Sequence, residues 1–424
     1  MTVKSKELTP FEYFYESLTH LTQAFVYDLF NGAEPIPIDA YKTIPELIMS
    51  AGYQVEIHKV KTEDDYINTA WRITGKIGSK DTTEPEKKPP VILQHGSGED
   101  AASYLAMNKS NSLPLLLSDS GYDVWLTNTR GNIFSYEHMD IVNHSVKVSS
   151  SDYFRYTFDE MAKYDVSGYI DYILDRSNHQ KLSYVGASQG TTIFFAAADV
   201  VENLSDKVSA FVAYAPVVYV SNINNPFYWV LSRLHLNDIS MFFKNYNSGV
   251  KPEMVNSNMR WASARFPTFF ARLEQLIFGV HDDIKLDIQR LPVLFTHMPG
   301  GGSLFNSIHY QQMYFSGEFK MFDFGSPEEN MKHYGQDTPP FYNTDRIRDT
   351  FSKVPSLLMV GEDDSIVRPK DLERLEKMLE GTLSKTVIIE GYNHANYGLA
   401  TDCKQKVLEP TIDFIKSHTQ NNKL

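Results

Sequence analysis

Near the start of the chain, apolar residues recur at steps of three and four. Phe11, Phe14, Leu18, Leu21, Phe25 and Leu29 fall on one face, which predicts an amphipathic helix ending near Asn31-Gly32. Few basic residues flank its polar side, so the stripe is expected to pack on its own domain in preference to lying on a lipid surface. From Tyr53 onward the period changes to two. Gln54-Val55-Glu56-Ile57-His58 alternates, and residues 67–73 form a matching run across a polar turn. Residues 78–90, rich in Lys, Asp, Glu, Thr and Pro, read as an exposed loop. Pro90-Val91-Ile92-Leu93-Gln94 then has the short apolar run of a strand covered on both faces. Strands at 122–126, 182–185 and 208–214 alternate with helices at 159–174 and 191–201. That alternation predicts an α/β fold with a mostly parallel sheet flanked by helices.

Between about Tyr219 and Pro340 the rhythm breaks. The runs Phe227-Tyr228-Trp229, Met241-Phe242-Phe243 and Phe269-Phe270 give aromatic richness without βα alternation, which suggests an inserted helical cap or lid. Gly300-Gly301-Gly302 lacks the Lys-Ser/Thr ending of a phosphate cradle and reads as a loop. Strands at 356–360 and 386–389 and helices at 369–379 and 404–416 restore the βα pattern. The expected organisation is an N-terminal helical extension over 1–46, core over 47–218, cap over 219–340 and core again over 341–424.

Composition narrows the partners. A net charge of −13 argues against nucleic acid, which needs clustered Lys and Arg, but not against a lipid ester. The single cysteine, Cys403, excludes an internal disulfide and a thiolate metal cluster, and reads as a small buried residue on the last helix. No cofactor or metal is implied. No apolar signal core follows Met1 to Glu7, and no apolar run reaches the ~18 residues of a membrane span. An intracellular protein is therefore expected, cytoplasmic or peripherally attached to a membrane or lipid droplet. The sequons at Asn108, Asn143 and Asn203 would matter only in a secreted chain. Nothing fixes the oligomeric state.

The chemistry concentrates at Gly186-Ala187-Ser188-Gln189-Gly190. A short apolar strand precedes it and a helical run follows, the context in which G-x-S-x-G forms a nucleophile elbow. A serine hydroxyl needs a base, and on this architecture the acid and then the histidine follow the serine in the chain. Val360-Gly361-Glu362-Asp363-Asp364-Ser365 ends one late strand, and Gly391-Tyr392-Asn393-His394 follows the next. His394 is the expected base. Asp364 is the preferred acid, with Asp363 the neighbour it could be confused with. Gln94-His95-Gly96-Ser97 leaves the strand at 90–94 as oxyanion loops do, so the N–H groups of Ser97 and Gln189 are the expected donors. His95 is expected to position that loop.

The sequence resembles the acid lipase family of α/β-hydrolases, which includes gastric and lysosomal acid lipases and fungal steryl ester hydrolases. Leu93-Gln94-His95-Gly96, Gly121-Tyr122-Asp123-Val124-Trp125, Asn128-Thr129-Arg130-Gly131-Asn132, Phe158-Asp159-Glu160-Met161 and Phe322-Asp323-Phe324-Gly325 carry the resemblance over roughly residues 45–415. It implies Ser188, Asp364 and His394 as nucleophile, acid and base, and Ser97 and Gln189 as oxyanion donors. Two positions depart: Ala187 stands where the family usually has histidine, and Ser97 where it usually has leucine. Backbone donors survive both changes, but acyl preference and pH optimum do not carry over. The expected activity is hydrolysis of acylglycerol or steryl esters through an acyl-enzyme. The alternatives are a carboxylesterase for small soluble esters and a binding protein without catalysis.

Overall fold

The computed structural model describes residues 10–31, 33–79, 87–139, 151–225, 228, 252–279, 283 and 285–419. One sheet organises them: β1 (Tyr53–Lys61), β2 (Tyr66–Lys76), β3 (Pro90–Gln94), β4 (Asp123–Thr127), β5 (Glu137–His138), β6 (Leu182–Ala187), β7 (Val208–Tyr214), β8 (Ser356–Gly361) and β9 (Ser384–Ile389). Their spatial order is β1-β2-β4-β3-β6-β7-β8-β9, with β5 beside β2. The β1–β2 hairpin and the β2–β4 pair are antiparallel, while the ladder from β4 to β9 is parallel throughout. Every residue of β3, β4, β7 and β8 is buried, as covering both faces with helices requires. This is the α/β-hydrolase architecture. The strands at 90–94, 182–187 and 356–361 all end at one rim, where the loops carrying chemistry emerge.

The helix expected over 159–174 is not uniform. An α-turn at Phe158–Glu160 widens into a π segment at Met161–Val166 before Ser167–Ser177 resumes. The widened turn carries Asp165, which grips buried Arg130 through Nε at 2.9 Å and Nη2 at 2.7 Å. Asp64 takes the other side of the same guanidinium, so the arginine's charge is neutralised and its planar fork satisfied. The last helix is likewise split, π over Lys404–Leu408 and α over Glu409–Thr419. Pro410 explains this, because it offers no N–H to the carbonyl of Lys406 and disturbs the turn before it. Cys403 lies just before that helix, fully buried, and burial pushes its thiol up to about 12.

Between β7 and β8 run the helices Pro252–Arg265, Pro267–Phe278, Leu291–His297, Leu304–Ser316 and Pro327–Tyr334. They have apolar cores of their own, one around Phe270, Ala271, Leu286, Leu291 and Leu294, another around Phe305, Ile308 and Phe322. The expected runs at 227–229 and 241–243 lie outside the described residues except for Tyr228, as do Asn143, Gly32 and the middle of the 78–90 loop.

The N-terminal helix forms over Pro10–Asn31, but its buried line is not the expected stripe. Ser17, Leu21, Ala24 and Asp28 face inward, while Leu18 and Leu29 are about half exposed and Phe30 is 85% exposed. Phe25 stacks on Phe266 at 5.1 Å. A polar anchor rotates the helix: Asp28 Oδ2 accepts from Phe269 N at 2.9 Å, capping the first turn of Pro267–Phe278, which has no side-chain cap of its own. Apolar periodicity is blind to such a bond.

Candidate active site

Ser188 closes β6 and opens the helix Gln189–Val200 with φ 50° and ψ −115°, a conformation that L-residues rarely adopt. The turn is tight enough to require glycine on both sides. A Cβ on Gly186 would lie 2.6 Å from the Gly190 carbonyl oxygen, and one on Gly190 would lie 2.5 Å from that of Gln94. The serine is thereby lifted above the strand's end, where His394 meets it.

His394 Nε2 lies 2.8 Å from Ser188 Oγ. On the other side of the ring, Nδ1 lies 2.9 and 3.1 Å from the two oxygens of Asp364. Asp364 Oδ1 also accepts from the N–H groups of Ile366 (2.8 Å) and Val367 (2.9 Å), which hold the carboxylate in place. Asp364 and His394 are both buried. Of the two adjacent aspartates, Asp364 is the one against the ring, and Asp363 uses its backbone N–H to bond Tyr392 O.

Ser97 and Gln189 line the cavities around Ser188. Neither backbone N–H has a hydrogen-bond partner among the described residues, and Gln189 sits at the first position of its helix, where N–H groups point outward unpaired. His95 fixes the approach of the Ser97 loop. Its Nδ1 donates to Gly96 O at 2.7 Å and its Nε2 accepts from Thr129 N at 3.2 Å, which selects one neutral tautomer. Burial lowers its pKa to about 4, so it stays neutral. That is the positioning role expected for it, not that of a base.

Several neighbours gave no sequence signal. Asn306 donates to the Gln189 side chain at 2.6 Å and so braces the elbow from the helix Leu304–Ser316. Phe278 stacks on His394, with ring centroids 5.9 Å apart, and its carbonyl accepts from both Ser365 N and His394 N. The glycine run is more than a connector: Gly300 N donates to Gly98 O at 2.7 Å, and a Cβ on Gly300 would lie 2.5 Å from Glu99 O. Gly300→Ala should therefore push the Ser97 loop aside, costing about 1–3 kcal/mol of stability. Thermal melts and turnover compared with the wild type check this; unchanged values for both would mean the loop yields freely.

Two cavities meet at Ser188. One, of about 290 Å³, is mainly apolar and lined by Val217, Val220, Ile223, Tyr310, Tyr314 and Ile366. The other, of about 140 Å³, lies on the His394 side. Phe278 and Tyr228 border both.

Buried titrating groups set a pH window for the fold. Burial lowers His95, His297 and His309 to about 4 each and raises Asp100 and Glu274 to about 8. The histidines bind protons in the unfolded chain below ~6.5 but not in the folded one, so their contribution is lost as pH falls through that range. The two acids hold protons only when folded, so theirs is lost as pH rises toward 8. Stability should peak near pH ~6.5 and fall on the alkaline side, with Glu274→Gln flattening that fall. Melting temperatures from pH 5 to 9 test the shape; a maximum at pH 8 or above would contradict it.

Residues 89–400 match the family described as the alpha/beta hydrolase fold, and residues 44–108 match its partial lipase region. The chain therefore belongs to the α/β-hydrolases, in the acid lipase family. Human lipase member K is 34% identical over 92% of this chain and 94% of its own length. Bovine gastric triacylglycerol lipase is 33% identical over 89% of this chain and 92% of its own. Among solved structures, DcsB in complex with its substrate analogue shares the fold, with a TM-score of 0.50, 14% identity and coverage of 87% of this chain and 100% of that one.

Proposed function

We propose that the protein is a serine hydrolase that cleaves carboxylic esters of lipids, acylglycerol or steryl. One observation carries it: Ser188, His394 and Asp364 form a single hydrogen-bonded line at the mouth of an apolar cavity. His394 takes the Ser188 proton as the oxygen attacks the ester carbonyl, and Asp364 keeps Nδ1 protonated and stabilises the charged ring. The tetrahedral oxyanion rests on the N–H groups of Ser97 and Gln189. His394 then protonates the departing alcohol, and water, activated by the same histidine, releases the acid. The names of lipase member K and gastric triacylglycerol lipase support a lipid substrate.

In this reading residues 219–340 form the cap over the site, between core segments 47–218 and 341–424. Among the described residues no helix is long and apolar enough to cross a membrane. The exposed Leu18, Val26, Leu29 and Phe30 on the N-terminal helix would instead touch the surface of a lipid aggregate. Replacing Leu29 and Phe30 with aspartate should lower the ratio of emulsified-ester to soluble-ester turnover by at least about tenfold, the size expected from losing even one of the two large apolar side chains. An unmoved ratio would assign that face to another task.

Hydrolysis of p-nitrophenyl butyrate and p-nitrophenyl palmitate, beside Ser188→Ala, tests the function. Turnover of palmitate that the variant lacks is the expected result. Turnover of butyrate alone would move the protein to the soluble carboxylesterases, and turnover of neither by folded protein would favour a binding role.

A further inference from the structure

Both cavities at Ser188 are mainly apolar, but of the two only the smaller has Glu99 and His394 in its lining, and the position of His394 says which half of an ester each receives. The leaving alcohol must take its proton from His394 Nε2, so it departs on the histidine's side. His394 lines the cavity of about 140 Å³ and is absent from the lining of the larger one of about 290 Å³. The acyl chain thus belongs in the larger cavity and the alcohol in the smaller.

The smaller cavity holds a group that an apolar alcohol would not welcome. Glu99 and Ser103 line it beside Ser188. Glu99 Oε2 accepts from Gly96 N at 3.1 Å. Oε2 and Ser188 Cβ each lie 3.2 Å from the point where a side chain on Gly96 would begin, so the carboxyl and the nucleophile flank the same position beside Gly96. A carboxyl offers about four acceptor sites, and the bond from Gly96 N leaves acceptor capacity on a group that lines the cavity. Packing a bare hydrocarbon against it would strip its solvent without replacement, whereas a hydroxyl would restore a hydrogen bond.

We propose that Glu99 selects the alcohol half of the ester, accepting a hydrogen bond from a free hydroxyl that the alcohol carries beside the scissile bond. Partial acylglycerols have that hydroxyl; simple alkyl esters and steryl esters lack it. The inference rests on the ester-hydrolase reading above and sharpens it to a substrate class. Glu99 touches the alcohol and takes no part in proton transfer.

The test compares 1-monooleoylglycerol with ethyl oleate, which share an acyl chain and differ in the hydroxyls. The readout is the ratio of kcat/KM for the two esters within each protein. The wild type should favour the glycerol ester, and Glu99→Ala should lower the ratio at least about tenfold. Glu99→Gln keeps the shape and one weaker acceptor, so it should lower the ratio by about threefold and decides the matter if the alanine variant does not fold. A ratio near one in the wild type, or one that neither variant moves while both esters are still cleaved, overturns the role of Glu99 alone. Turnover of neither ester by folded wild type overturns the hydrolase reading, and this inference with it.

Discussion

Ser188→Ala should abolish ester hydrolysis, lowering kcat by about 10⁴-fold or more, because the attacking oxygen is gone and the remaining donors can only assist water. Its stability should match the wild type, since alanine has the same Cβ and meets the same backbone strain at φ 50°. Ser188→Gly separates the two effects. It is equally inactive, yet it relieves the strain and should be more stable by roughly 1 kcal/mol. Turnover of p-nitrophenyl esters paired with chemical denaturation reads both quantities. A glycine variant less stable than the alanine one would mean that the elbow stores no strain.

Asp364→Asn is expected to lower kcat by about 10⁴-fold with little change in KM. The reason lies in the ring. Asp364 holds the proton on Nδ1, leaving Nε2 to accept from Ser188 Oγ, and an amide in its place can turn an N–H toward Nδ1 and reverse the tautomer. Asp363→Asn should leave the rate within about threefold, as for a substitution outside the hydrogen-bonded line. If the two variants exchanged these results, the acid would be Asp363 and the proposed triad would need redrawing.

The parts legible in the sequence were those built from local rules. The period-two hairpin, the doubly covered strands and the elbow between β6 and its helix each follow from a few consecutive residues. The insertion between β7 and β8 was visible as lost alternation. What escaped were contacts between residues far apart in the chain. Asp28 capping a helix some 240 residues later turned the N-terminal helix away from its expected face. The π segment at Met161–Val166 follows no apolar period, and it carries the aspartate that answers Arg130. At the site, the Ser188, Asp364 and His394 positions could be named from motif and order, whereas Glu99, Phe278, Asn306 and Gly300 could not. Each of those four matters through the company it keeps, and no spacing rule records that.

The carbonyl of Phe278 receives N–H groups from Ser365 and His394, one neighbouring the acid and the other belonging to the base. A single atom at the end of one inserted helix thus staples together two loops that the sheet delivers from different strands. Any displacement of that helix would release both loops at once and take the acid and the base out of register together. By reciprocity, an inhibitor that engages only the armed arrangement at Ser188 also holds the helix down. Amide exchange along Pro267–Phe278 should then slow when Ser188 is modified, reporting on chemistry that the helix does not perform.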